Sequence, residues 1–302
     1  MTHRLKALSG LLLSLCIFFS SHAAAAQTRV LIVVGLGGEP AYERQFQQHA
    51  EAAAKRLREV TDDVTLLLGE SVSREAVRST LAEINQRTTT QDALVVMLIG
   101  HGSYDGERFR FNVPGPDFTA VQLAGWLEPI AAKQQLVVVT GSSSGAVQGP
   151  LEQDGRTVIT ATKSGEERNA TVFARYFSEA LGDSAADVDK DHIITAHEAF
   201  SYAADAVDQH YTQLKEMATE HPLTNGPEGS TILARLERSP VLQPELSPLV
   251  VQRDALEQKI VTLRANKDSY PLDDYYTELQ RLLLELVVVE RQFEDPSLQT
   301  PR

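Results

Sequence analysis

The sequence predicts an α/β fold, a three-layer domain on a mostly parallel sheet followed by a C-terminal α-helical hairpin. Three observations predict it. From Thr28 to about Thr162, short β-branched runs alternate with amphipathic stretches, the signature of βαβ units. Beyond Pro240, Pro244 and Pro248 the apolar residues recur at helical spacing in two successive stretches, as in an αα-hairpin. The composition, 302 residues with 42% apolar and 23% charged, is that of an ordinary globular chain and excludes collagen, low-complexity disorder and a polytopic membrane protein.

The first element is a leader. Arg4 and Lys6 precede an apolar run from Ala7 to Phe19, then Ser20, Ser21, His22 and four alanines, the order of a secretory signal peptide. Cleavage is expected near Ala26, leaving a periplasmic or secreted protein with no membrane insertion. Loss of the two basic residues takes the net charge from −13 to −15, so no overall field draws the protein to nucleic acid. Cys16, the single cysteine, goes with the leader. Disulfides, zinc-thiolate sites and cysteine nucleophiles are thereby excluded from the mature chain.

A domain spanning residues 27–238 follows. Its strands are expected at Arg29 to Val34, Val64 to Leu68, Ala93 to Ile99, Gln135 to Thr140 and Thr157 to Thr162. Helices are expected at Ala41 to Val60, from a Ser73 N-cap to Arg87, at Val121 to Ile130, at Asn169 to Leu181 and at Ala196 to Ala218. His221 to Gly229 reads as a long Pro/Gly/Asn-rich loop before a short apolar run, Thr231 to Leu236. Residues 239–302 form the linker and hairpin. Leu249, Leu256, Ile260 and Leu263 make one helical face, and Leu279, Leu283, Leu286, Val289 and Phe293 the other, in coiled-coil-like packing. Such a hairpin either docks on the main domain or serves as an arm for a protein partner or a homo-oligomer.

Ligands of parallel sheets bind at the C-terminal ends of the strands, so the loops after strands carry the chemistry. The third strand runs into His101-Gly102-Ser103 and the fourth into Gly141-Ser142-Ser143-Ser144-Gly145. A histidine and a serine turn at neighbouring crevice positions outline a base and a nucleophile. Gly35-Leu36-Gly37-Gly38 is not a dinucleotide loop, because Pro40 stands where its third glycine belongs.

Over about residues 28–236 these motifs resemble the caspase-fold peptidases, most closely the legumain-like hemoglobinase family. His101-Gly102 is similar to that family's strand-His-Gly, Ser142-Ser143-Ser144-Gly145 to its Cys-x-Ser-Gly, and Gly35-Leu36-Gly37-Gly38 with Tyr42-Glu43-Arg44-Gln45 to its first loop. The resemblance implies a caspase-like fold with His101 as general base, Gly102 as an oxyanion donor and Ser142 in place of the nucleophilic cysteine. Glu43 stands at the position of the family's specificity arginine, with Arg44 next to it. A serine hydroxyl is a poor nucleophile without a close, oriented base, and spacing singles out neither Asp105 nor Asp154 to orient His101. The expectation is a pseudo-peptidase that binds a peptide or protein, the alternative an active serine hydrolase using Ser142 and His101.

Asp187, Asp189, Asp191, Ile193, Thr195 and Glu198 take the ligand positions of an EF-hand-like loop, so calcium is the expected cofactor. His192 occupies the sixth position, where the sharp turn prefers glycine, and Ile194 is the apolar eighth residue. The bland reading is a solvated acidic loop favouring the N-terminus of the next helix.

Overall fold

The computed structural model describes residues 26–226, 231–236, 248–265, 267 and 270–294. The expected signal peptide and the Pro240 and Pro244 linker lie outside them. The chain divides into two compact units, one ending at Leu236 and one beginning at Glu237.

In chain order the first unit runs β1 (Thr28–Val34), α1 (Pro40–Leu57), β2 (Val64–Leu67), α2 (Arg74–Arg87), β3 (Ala93–Ile99), β4 (Gly102–Tyr104), β5 (Phe109–Phe111), β6 (Phe118–Thr119) and α3 (Ala120–Leu127). It continues with β7 (Gln134–Val139), α4 (Gln148–Leu151), β8 (Arg156–Thr160), α5 (Phe173–Ala180), β9 (Ile193–Thr195), α6 (Ala196–Leu214), β10 (Leu223–Asn225) and β11 (Ile232–Arg235). The central sheet has the order β10-β8-β7-β3-β1-β2. Its five main strands are parallel, and β10 joins antiparallel to β8.

Strand periodicity builds the three layers, because successive side chains point to opposite faces. Val30, Ile32, Val95, Met97 and Val138 pack with α1, α5 and α6 on one side. Leu31, Val33, Leu94, Val96 and Val137 pack with α2 and α3 on the other. The buried alanines Ala50, Ala53 and Ala54 of α1 leave room for helix and sheet to approach closely. Pro40 begins α1, where a missing N–H costs nothing. The Ser73 hydroxyl accepts the Ala76 N–H at 3.0 Å to begin α2. The strand order reverses between β1 and β3, so the loops after those strands open a crevice at the C-terminal edge.

Several expected elements differ. Gly102 to Thr119 folds as an antiparallel ribbon, β4-β5-β6, whose Phe109, Phe111 and Phe118 join the core. The expected loop from His221 contains β10, the sheet's edge strand. The short apolar run at Thr231 to Leu236 forms β11, which pairs with β9 in a separate two-stranded ribbon. α5 begins at Phe173 rather than Asn169, because the buried Glu220 carboxylate accepts the Val172 and Phe173 N–H groups from 47 or more residues away. α6 ends at Leu214, where Lys215 turns left-handed with φ 57°.

The second unit is a hairpin of α7 (Pro248–Ala265) and α8 (Leu272–Glu294). Leu256, Ile260 and Leu263 pack with Tyr275, Leu282 and Val289, flanked by Leu279 and Leu286. Leu283, expected in this seam, is exposed, and Leu282 takes its place. The spacing 275, 279, 282, 286, 289 keeps the heptad alternation of four and three, which Leu283 would break. The side chains of Leu249 and Phe293 lie outside the described residues.

Candidate functional site

The loops after β1, β3 and β7 meet at the crevice edge through glycines. A Cβ on Gly141 would sit 2.2 Å from the Gly100 carbonyl oxygen, and one on Gly102 would sit 2.6 Å from that of Ser142. The backbones bearing His101 and Ser142 are therefore packed against each other with no room for a side chain between them. Gly35 belongs to the same junction. Its N–H donates to the Ile99 carbonyl at 2.8 Å, and a Cβ there would strike the Asn112 carbonyl and the Phe111 ring.

His101 is half-buried, its ring edge-on to Tyr42 and Phe46 of α1 with centroids 4.9 and 5.0 Å away. Burial pushes its pKa below the usual imidazole value, opposed by a hydrogen bond to the Gly37 main chain. Burial therefore favours the neutral ring over the imidazolium. Ser142 is buried, and among the described residues no hydrogen bond joins its hydroxyl to His101. No carboxylate orients His101 either. Asp105 pairs with Arg110 at 2.8 Å and accepts the Glu107 and Arg108 N–H groups. These donors hold its carboxyl down at about 2, as the cap of the β4-β5 turn. Asp154 sits in the turn before β8, at the opposite edge of the sheet. Glu43 and Arg44 are exposed on the first turn of α1.

The fold also brings forward residues that sequence reasoning missed. Ser143 is left-handed, with φ 57° and ψ 11°, between β7 and a 3-10 turn at Ser144–Val147. Its hydroxyl is buried without a partner. Its N–H donates to the Glu167 carbonyl at 2.7 Å. The Glu167 carboxylate pairs with the His221 ring and accepts the His221 and Lys163 N–H groups. One signal was present, since Gly141-x-Ser143-x-Gly145 has the form of a strand-turn-helix serine motif. The Glu167–His221 pair, 54 residues apart, left none.

The acidic loop is partly assembled. Carboxylate oxygens of Asp187, Asp189 and Asp191 lie within 4.8 Å of one another, and Lys190 and His192 are left-handed with φ 62° and 65°. Burial, aided by Asp191, Glu198 and Asp187 nearby, raises the Asp189 pKa. Thr195 and Glu198 are instead engaged at the start of α6. The Glu198 carboxylate accepts from the Thr195 N–H at 2.9 Å, the Thr195 hydroxyl at 2.8 Å and the Val188 N–H at 3.1 Å. Ile193 lies in β9 opposite Arg235.

No protein-family model and no curated protein matches the chain. Among solved structures its backbone is similar to caspase-1 from Spodoptera frugiperda, with 9% identity over 70% of this chain and 92% of that one and a TM-score of 0.47. It is similar to drICE, with 10% identity over 70% and 90% and a TM-score of 0.43. It is also similar to a protein from Geobacter sulfurreducens, with 11% identity over 70% and 100% and a TM-score of 0.46.

Proposed function

We propose that the chain is an exported caspase-like protein of legumain type that lacks the catalytic cysteine and binds a peptide or protein segment in its crevice without cleaving it. The observation that carries this reading is the environment of His101. Among the described residues no hydrogen bond joins its ring to the Ser142 hydroxyl and no carboxylate pairs with it, Asp105 being held by Arg110. A thiol of ordinary pKa supplies some thiolate by itself, whereas a serine must lose its proton to a base during attack. The test is turnover of Asn- and Asp-containing peptides. None is expected from the wild type, and turnover lost in both Ser142→Ala and His101→Ala would overturn the reading.

A second reading, an active serine hydrolase, is favoured by one observation. The Glu167–His221 pair is a histidine with an oriented carboxylate, and the Glu167 main chain holds the serine turn through Ser143. Turnover lost in His221→Ala but retained in His101→Ala would favour it.

Calcium binding at the Asp187 to Glu198 loop is a separate proposal. It is supported by the three converging aspartates and the left-handed turn at His192. A thermal melt that rises with millimolar calcium and falls with chelator tests it.

A further inference from the structure

We propose that α8 carries a second apolar seam that pairs with the same seam of a second copy, so that two hairpins join in a four-helix bundle around a two-fold axis. The seam that meets α7 occupies one side of α8. Next to it stands another row, Leu272, Tyr276, Leu283 and Val287, widened by Leu284 and Val288, all exposed. Tyr276, Leu283, Leu284 and Val287 line a groove with Leu279 and Gln280. On the remaining side Arg281 pairs with both Glu278 and Glu285, and the row itself gives way to Glu290 and Glu294 at its C-terminal end.

A helix with a single partner needs an apolar stripe of about 100°, and the two rows together span about twice that arc. One neighbour therefore leaves half of the apolar surface of α8 in water. The exposed row amounts to about 500 Å² per copy, so a symmetric contact buries about 1,000 Å², the size at which specific association begins. The occupant follows from the rest of the chain. Among the described residues no other element exposes more than one large apolar side chain, the others being Leu36, Val121, Val188, Leu214, Met217, Leu223 and Tyr270. Among the described residues only the same face of another copy offers matching area, and an isologous contact uses that face on both sides.

Sedimentation equilibrium of the full chain tests the proposal. A dimer is expected at micromolar concentration. Leu283→Glu with Val287→Glu should sediment as a monomer with unchanged helicity, since both side chains lie outside the α7 seam. Should that variant lose helicity, Tyr276→Lys carries the test alone and is expected to weaken association at least about tenfold. A wild type that stays monomeric overturns the proposal in either of two ways. If footprinting shows the row protected, the rest of the chain covers it, and if the row is reactive, another partner does. A dimer that both variants leave intact overturns it as well.

Discussion

Gly102 shows how tightly the crevice constrains single residues. A methyl group there would meet the Phe109 ring at 2.4 Å and the Ser142 carbonyl oxygen at 2.6 Å. Gly102→Ala should therefore cost about 1 to 3 kcal/mol, as overpacking does, read as a lower urea midpoint. An unchanged midpoint would show that the two turns yield. Glu220 gives a pH signature. Burial raises its carboxyl to about 7, against the hydrogen bonds from Val172, Phe173 and Tyr211. A carboxyl whose folded pKa lies above its ordinary value of 4.5 favours the fold fully below pH 4.5, and that contribution is lost as pH rises to about 7. The loss is at most about 3 kcal/mol. The stability difference between wild type and Glu220→Gln should change across that window and be flat above it, and a difference independent of pH would contradict the assignment. At this scale the sequence was partly legible. His101 and Ser142 were found because each follows a β-branched run into glycine. Glu167, His221 and Glu220 were not, because their partners are joined by the fold and not by any local spacing.

At the level of elements, the acidic loop makes a measurable prediction. If calcium holds the three aspartates together, at free calcium one hundred times the dissociation constant it stabilises the fold by about 2.7 kcal/mol. Asp189→Asn keeps an oxygen for the Asp191 N–H, now 3.2 Å away, but removes a charge, and should lose most of the calcium-dependent rise in melting temperature. His192→Gly relieves the left-handed turn and should enlarge it. A melt unmoved by calcium in all three proteins would leave the loop as the cap of α6. Helices and parallel strands were legible because their apolar periods are local. The β4-β5-β6 ribbon was not, since strands of two or three residues carry too little alternation to register. The hairpin was legible as a pair of helices but not in its register. Leu282, Leu283 and Leu284 are all apolar, and only packing against α7 decides that Leu282 turns inward.

The whole molecule follows from the division into two units. Both clusters flanking the sheet are built from residues of the first unit, so removal of residues 237–302 should leave a cooperative thermal transition. A truncated protein without near-UV dichroism would contradict that independence. The order of the sheet explains why chemistry gathers where it does. β1 and β3 diverge at the reversal, and Gly35, His101 and Ser142 all follow strands that end at that edge. The parallel sheet was legible in the β-branched runs, whereas the antiparallel β10, which brings His221 to the same edge, required a pairing more than 60 residues away. The central claim is that this edge binds without catalysing. Fluorophosphonate treatment followed by intact mass measurement tests it most directly, because such a probe adds only to a serine activated by its base. No adduct is predicted on the wild-type chain, and a stoichiometric adduct mapping to Ser142 or Ser143 would contradict the account.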